Sequence, residues 1–247
     1  GRHGGNAAVP TIDFSQFGAV ESVAMTKIQK LTAINMHRSW LNAPHVTQFD
    51  DADITALEEF RAGLKAEAEQ RNIKLTPLPF ILAACAAALR ANPEFNRSWP
   101  GDGEPLGQKH YIHLGVAVDT PRGLLVPVIR DADNKGIWQL AGEVAALSAK
   151  ARDGKLTPAE MQGGCFTITS LGAQGGTGFT PIINAPEVGI LGVSRAAIRP
   201  VWQNGAFVPR QLPPLCPSYD QRPIHGRHGA RLMTRPGPAP RAIAPTA

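Results

Sequence analysis

Residues 76–91, T-P-L-P-F-I-L-A-A-C-A-A-A-L-R-A, constrain this chain more than any other stretch. The prolines stand in the first turn, where a helix tolerates them, Thr76 is placed to cap it, and apolar side chains then fill nearly every face. A helix with no polar side has to be covered all round. Its apolar run is far shorter than the roughly 20 residues that span a bilayer, so the cover must be protein. A chain of 247 residues with 43% apolar content can supply it as one large domain or two small ones.

Other helices show a polar side. Ile28, Leu31, Ile34 and Met36 predict one buried face on a helix over 25–41 that ends before Pro44. Ile54, Leu57, Phe60, Leu64 and Ala68, with Glu58, Glu59, Lys65 and Glu69 opposite, predict one helix from an Asp53 or Thr55 cap to about Arg71. A third is expected over 137–152, closed by Asp153-Gly154, and Thr157 to Glu160 has the capping-box spacing of a short fourth. Strands are expected at 44–50, with Val46 and Phe49 inward, at 165–170 and at 187–194. Two hairpins join them, one around D-T-P-R-G with Pro127 on an edge, the other around Asn204-Gly205 as a type I′ turn. Without regular β-α alternation, the expected fold class is α+β with a mixed sheet and packed helices.

The net charge of +5 and pI near 9.4 are mild, and the 25 Lys and Arg are scattered, which argues against nucleic acid as a partner. Cys85, Cys165 and Cys216 show no C-x-x-C spacing and are odd in number, which favours a reducing, cytoplasmic setting and no structural metal. Cys85 and Cys165 read as small buried hydrophobes. No membrane span is expected. Residues 1–12 read as the end of a flexible Gly- and Ala-rich linker, and 9–18 as an extended arm that leads out of it with too few apolar positions to fold alone; 13–247 read as one domain cut from a longer chain.

Two places concentrate chemistry. At 216–226, C-P-S-Y-D-Q-R-P-I-H-G, an acid, an amide, a guanidinium and an imidazole (Asp220, Gln221, Arg222, His225) fall between an apolar approach and a glycine. At 165–178 a β-prone strand ending in Thr169 and Ser170 enters L-G-A-Q-G-G-T-G, whose four glycines let backbone approach a ligand closely. The glycine spacing matches neither a phosphate loop nor a dinucleotide fingerprint. Alone, the first is a solvated turn and the second a strand with a loose loop.

Together they are more. Q-G-G-C-F-T-I-T-S-L-G, P-I-I-N-A-P-E-V-G-I-L-G-V-S and S-Y-D-Q-R-x-x-x-G, in this order and spacing, resemble the catalytic domain of dihydrolipoyl acyltransferases, the core subunits of 2-oxo acid dehydrogenase complexes. H-R-S-W-L-N-A-P-H-V-T-Q-F and G-V-A-V-D-T-P-R-G-L-L-V-P-V-I extend the resemblance over residues 13–232 and look most like the bacterial pyruvate dehydrogenase branch, which implies acetyl transfer. The resemblance implies a two-layer fold like that of chloramphenicol acetyltransferase. It also implies a homotrimer, able to build a larger cage, with each site in a channel between subunits. Coenzyme A and lipoyl-lysine would be the substrates, the lipoyl group lying on a domain outside this chain. The decarboxylase and dihydrolipoamide dehydrogenase would bind through upstream domains, and the arm would lie on a neighbouring subunit. An imidazole in a D-H-R-x-x-D-G motif would take the thiol proton, and a strand hydroxyl, matched by Thr169 with Ser170 beside it, would stabilise the oxyanion. His37 and His45 are candidates for the channel wall, and Arg38, Lys109 and Arg122 for coenzyme A phosphates, with no geometry to choose among them.

The motif departs at its centre. Gln221 stands at the histidine's position and His225 at the acid's, and an amide has no basic nitrogen. Pro223 removes a backbone donor, and the four prolines of 235–247 forbid the family's C-terminal helix. Three readings follow: a core subunit kept for assembly without turnover, His225 acting as a displaced base, or base changes and a frame slip in the determined coding sequence, as His to Gln needs only CAC to CAG. Clustering of the changes at one end favours the third. Intact mass and C-terminal peptide sequencing of the protein from its native source decide it: the third reading expects histidine at 221 and no Pro-rich tail, and finding both Gln221 and the tail excludes it.

Overall fold

The computed structural model describes residues 9–99 and 105–234; the expectations for the tail and for the first eight residues lie outside these. In chain order the elements are α1 (Lys27–Asn42), β1 (His45–Thr47), β2 (Asp50–Asp51), α2 (Thr55–Gly63), α3 (Lys65–Gln70), α4 (Leu78–Ala91), β3 (Arg97–Ser98), β4 (Gly107–Gln108), β5 (Leu114–Val116) and β6 (Val128–Ile129). Then follow α5 (Ile137–Asp153), β7 (Phe166–Ser170), β8 (Gly189–Val193), β9 (Ala197–Gln203), β10 (Ala206–Leu212), β11 (Pro214–Asp220) and α6 (Gly226–Thr234).

The main sheet has the order β1-β11-β8-β7-β5-β6, with β2 extending the edge beside β11. β5, β7 and β8 run parallel to one another, while β11, β1 and β6 pair antiparallel to their neighbours. The mixed α+β reading therefore holds. β8 is buried throughout, as a strand flanked on both edges and both faces must be. β6 lies at the edge, where Pro127 lends its carbonyl to Val116 N–H at 2.9 Å and its missing donor costs nothing.

The all-apolar helix is α4, and it lies in the core beside α5. Its Phe80, Leu82, Ala86 and Leu89 are buried, and Cys85, buried with them, has its thiol pushed up to about 12 by desolvation. Directly after it, Phe95 meets Phe166 of β7 and Tyr219 of β11 edge-on, at ring distances of 6.5 and 6.0 Å. All three rings are fully or almost fully buried, so this cluster fastens the helical layer to the centre of the sheet. Among the described residues, no helix is long and apolar enough to cross a membrane.

Several local expectations hold. Thr157 and Glu160 form the capping box of a short 3-10 helix over Pro158–Met161, Gly154 closes α5 in the left-handed conformation at φ 69°, and Asn204 and Gly205 take the positive φ of a type I′ hairpin turn. Four differ. Thr76 makes no cap, since α4 starts from Pro77 without a side-chain acceptor. The helix expected over 53–71 is two, because Gly63 is a poor helix former and Leu64 turns in against the core, letting Ala68 bury. Phe49 is 62% exposed rather than inward, as the strand breaks between β1 and β2. The apolar face of α1 is not covered among the described residues, where Leu31 and Ile34 are half exposed.

The aromatic cluster is testable by urea unfolding. Phe95→Ala is expected to cost about 3–5 kcal/mol and Phe95→Leu less. Equally small losses for both would mean that the ring does not join the layers.

Candidate active site

The polar stretch at 216–226 begins as strand, since β11 runs through Asp220 with Cys216, Ser218, Tyr219 and Asp220 buried. A buried carboxylate requires a partner, and Asp220 has Arg222. The guanidinium donates from Nε to Oδ1 at 3.0 Å and from Nη2 to Oδ2 at 2.6 Å, and the backbone N–H of Arg222 adds a bond to Oδ1 at 3.0 Å. The same guanidinium lies over the Trp99 ring at 5.0 Å. The backbone is tied on three sides: Asp220 N–H to Val188 C=O, Gln221 N–H to Pro44 C=O, and Ile224 N–H back to Asp220 C=O at 3.1 Å. Pro223 is accommodated because these bonds use the amides around it. Pro223 and Ile224 are buried, while Gln221, Arg222 and His225 face outward.

Thr169 and Ser170 end β7 as expected. Thr169 is half-buried and its hydroxyl makes no hydrogen bond among the described residues; the Ser170 hydroxyl is exposed and accepts the Gly172 N–H at 3.2 Å. The glycine loop uses its freedom: Gly172, Gly175 and Gly176 have φ of 53°, 102° and 83°.

The sheet register places these two groups. Thr169 pairs with Gly192, and Gly192 pairs with Cys216. From Cys216 the strand runs four further residues before the turn that carries Gln221, about 14 Å at strand rise. Thus one chain brings Gln221 and His225 together at one end of the sheet, and Thr169 and Ser170 together toward the other. It does not bring the pairs to each other.

Among the other candidates, His45 is structural. Its Nδ1 faces the Ala43 carbonyl at 2.7 Å and must donate; its Nε2 faces the Ile183 N–H at 3.0 Å and must accept. Both nitrogens are engaged by backbone groups. His37 and Arg38 are exposed on α1, Arg122 donates to the Asp153 carbonyl at 3.3 Å, and Lys109 donates inward to the Arg97 carbonyl at 3.2 Å. Sequence reasoning missed the Trp99 platform, for which no signal existed. It also missed Glu187, whose buried carboxylate accepts from Thr167 Oγ1 at 2.7 Å and is pushed up to about 7 by desolvation. A lone acid at the start of an apolar strand was the available signal. Burial also lowers the ammonium of nearby Lys109.

Residues 17–236 match the family model of the 2-oxoacid dehydrogenases acyltransferase (catalytic domain). The chain is 58% identical over 229 residues to the dihydrolipoyllysine-residue acetyltransferase component of the pyruvate dehydrogenase complex of Pseudomonas aeruginosa, covering 93% of this chain and 42% of that one. The corresponding Azotobacter vinelandii protein is 56% identical over 226 residues, covering 92% and 35%. The chain thus spans about two fifths of the length of these relatives. Among solved structures, the Azotobacter vinelandii dihydrolipoamide acetyltransferase superposes with a TM-score of 0.91 at 55% identity over 94% of this chain and 95% of that one. The cubic core of the pyruvate dehydrogenase multienzyme complex gives the same figures. The former structure concerns a serine, a histidine and an asparagine in the catalytic mechanism, which stand along their chain with the same separations as Thr169, Gln221 and His225 here.

Glu187 carries a pH prediction. Its folded value of about 7 lies above the ordinary 4.5, so it contributes stability that is complete below the ordinary value and lost as pH rises through about 7. The melting temperature should fall from about pH 5 to about pH 7 and level off above that, and Glu187→Gln should flatten that fall. An unchanged fall in the variant would assign it to other groups.

Proposed function

The chain belongs to the 2-oxoacid dehydrogenases acyltransferase (catalytic domain) family, and from that premise we propose that it is the acetyltransferase core of a pyruvate dehydrogenase complex. It moves an acetyl group between a lipoyl-lysine arm and coenzyme A. The observation that carries this reading is the matched spacing of Thr169, Gln221 and His225 with the three residues studied in the Azotobacter vinelandii enzyme.

The chemistry is exchange of one thioester for another. The acceptor thiol loses its proton, its sulfur bonds to the carbonyl carbon, and the carbonyl oxygen becomes an oxyanion that the Thr169 hydroxyl, with Ser170 beside it, is suited to meet. Collapse expels the other thiolate, which takes a proton. Because Thr169 and Gln221 lie at different ends of one sheet, each site is assembled from two copies, and a homotrimer provides this. The apolar surface left open supports that assembly: Phe14, Phe17, Val20 and Val23 of the arm, Leu31 and Ile34 of α1, and Trp202 and Phe207 on the β9-β10 hairpin are all at least half exposed.

Trimers would build a larger cage. The lipoyl group and the domains that hold the decarboxylase and dihydrolipoamide dehydrogenase would belong to chain outside these residues. The three buried free thiols are in keeping with a cytoplasmic setting. A second reading rests on Gln221: its amide holds a substrate by hydrogen bonds yet takes no proton, so the chain would serve as a catalytically impaired structural core.

Acetyl transfer from acetyl-CoA to dihydrolipoamide separates them. Gln221→His should give turnover at least equal to that of the chain with Gln221, and Thr169→Val should lower kcat in the same background. An assembled Gln221→His protein without turnover would overturn the acyltransferase reading.

A further inference from the structure

We propose that in this chain the thiol proton is taken by His225, displaced four residues from the position at which Gln221 stands. The inference rests on the acyl-transfer reading above and goes beyond it by naming a different base. The spacing alone argues against it, since four residues along an irregular turn rarely return a side chain to the same place.

The turn begins as a helix does. The bond from Ile224 N–H to Asp220 C=O at 3.1 Å closes one helical turn over residues 221–223, and α6 follows from Gly226 with His228 N–H and Gly229 N–H both donating to His225 C=O. Gln221 opens this turn and His225 stands between it and α6, both exposed, while Pro223 and Ile224 are buried. The Asp220-Arg222 clamp and the Trp99 platform hold the turn to the end of β11.

The groups around His225 also leave it free to act. Among the described residues neither of its ring nitrogens is hydrogen-bonded. His228, whose ring lies 5.6 Å away, is committed: its Nδ1 accepts the His225 N–H at 3.4 Å and its Nε2 is turned toward Glu94 at 4.0 Å. Arg231 faces the same Glu94, and Arg222 is held by Asp220. Of the imidazoles on this turn, His225 is therefore the one open to a substrate. A thiol carried on a flexible arm can meet a base shifted by one helical turn.

The step balances without a further reagent. The thiol S–H bond breaks as its proton passes to an imidazole nitrogen of His225, and the sulfur pair forms the new C–S bond. The old C–S bond then breaks, and the departing thiolate recovers the proton from the imidazolium; nothing is oxidised or reduced.

The test compares His225→Asn in two backgrounds of the full chain, with acetyl-CoA and dihydrolipoamide as substrates. In the chain with Gln221, a measurable kcat should fall by about 10²-fold or more with little change in KM. With Gln221→His present, the same His225→Asn change should cost less than about threefold, because a second imidazole has taken over the proton. A structural role for His225 would cost the same in both backgrounds and overturns the proposal, as does His225→Asn without effect on Gln221 protein. No turnover with Gln221 but turnover with Gln221→His overturns His225 as base and leaves acyl transfer standing. No turnover in either background overturns both.

Discussion

The antiparallel ladder between β8 and β11, at the middle of the sheet, is the constraint on which the rest depends. It pairs Leu215 with Val193 and Tyr219 with Gly189, and through Gly189 it leaves room for the Phe166 and Phe95 rings, which a Cβ there would meet at 2.8 and 3.3 Å. A slip of one residue would turn Tyr219 out of the aromatic cluster and put Asp220 out of reach of the Val188 carbonyl. The helical layer would lose its anchor and the active turn its origin. Fold and chemistry therefore share one register.

That register also explains why the chemistry is divided. β7 runs parallel to β8 and β11 runs antiparallel, so the ends of β7 and β11 that carry side chains suited to catalysis open at opposite edges of the sheet. Within one chain the sheet thus holds the Thr169 and Ser170 hydroxyls at one end and the turn with Gln221 and His225 at the other.

At the turn, electrostatics replaces packing as the organising force. Asp220 is buried because Arg222 meets it with two side-chain donors and one amide, and Arg222 is itself held flat against Trp99. This arrangement survives the change at residue 221, since neither Gln221 nor its side chain takes part in it. The scaffold of the site and its proton chemistry are thus separable, and a chain can retain the first while the second moves.

Much of this was legible in the sequence. The all-apolar α4, the caps at Gly154 and Thr157, the Asn204-Gly205 hairpin and the strand leading to Thr169 follow from local periodicity and turn chemistry, which neighbouring residues determine. The family followed from motifs in a fixed order. What lay beyond reach depends on residues far apart in the chain. His45 is tied to Ile183, Trp99 supports Arg222, Glu187 is buried against Thr167, and among the described residues Leu31 and Ile34 of α1 stay half exposed. Sequence by itself determined which elements form and which residue types stand in the motif. Only the tertiary structure decided that Thr169 and Gln221 face opposite ends of one sheet, because strand register is set by long-range pairing and not by spacing along the chain.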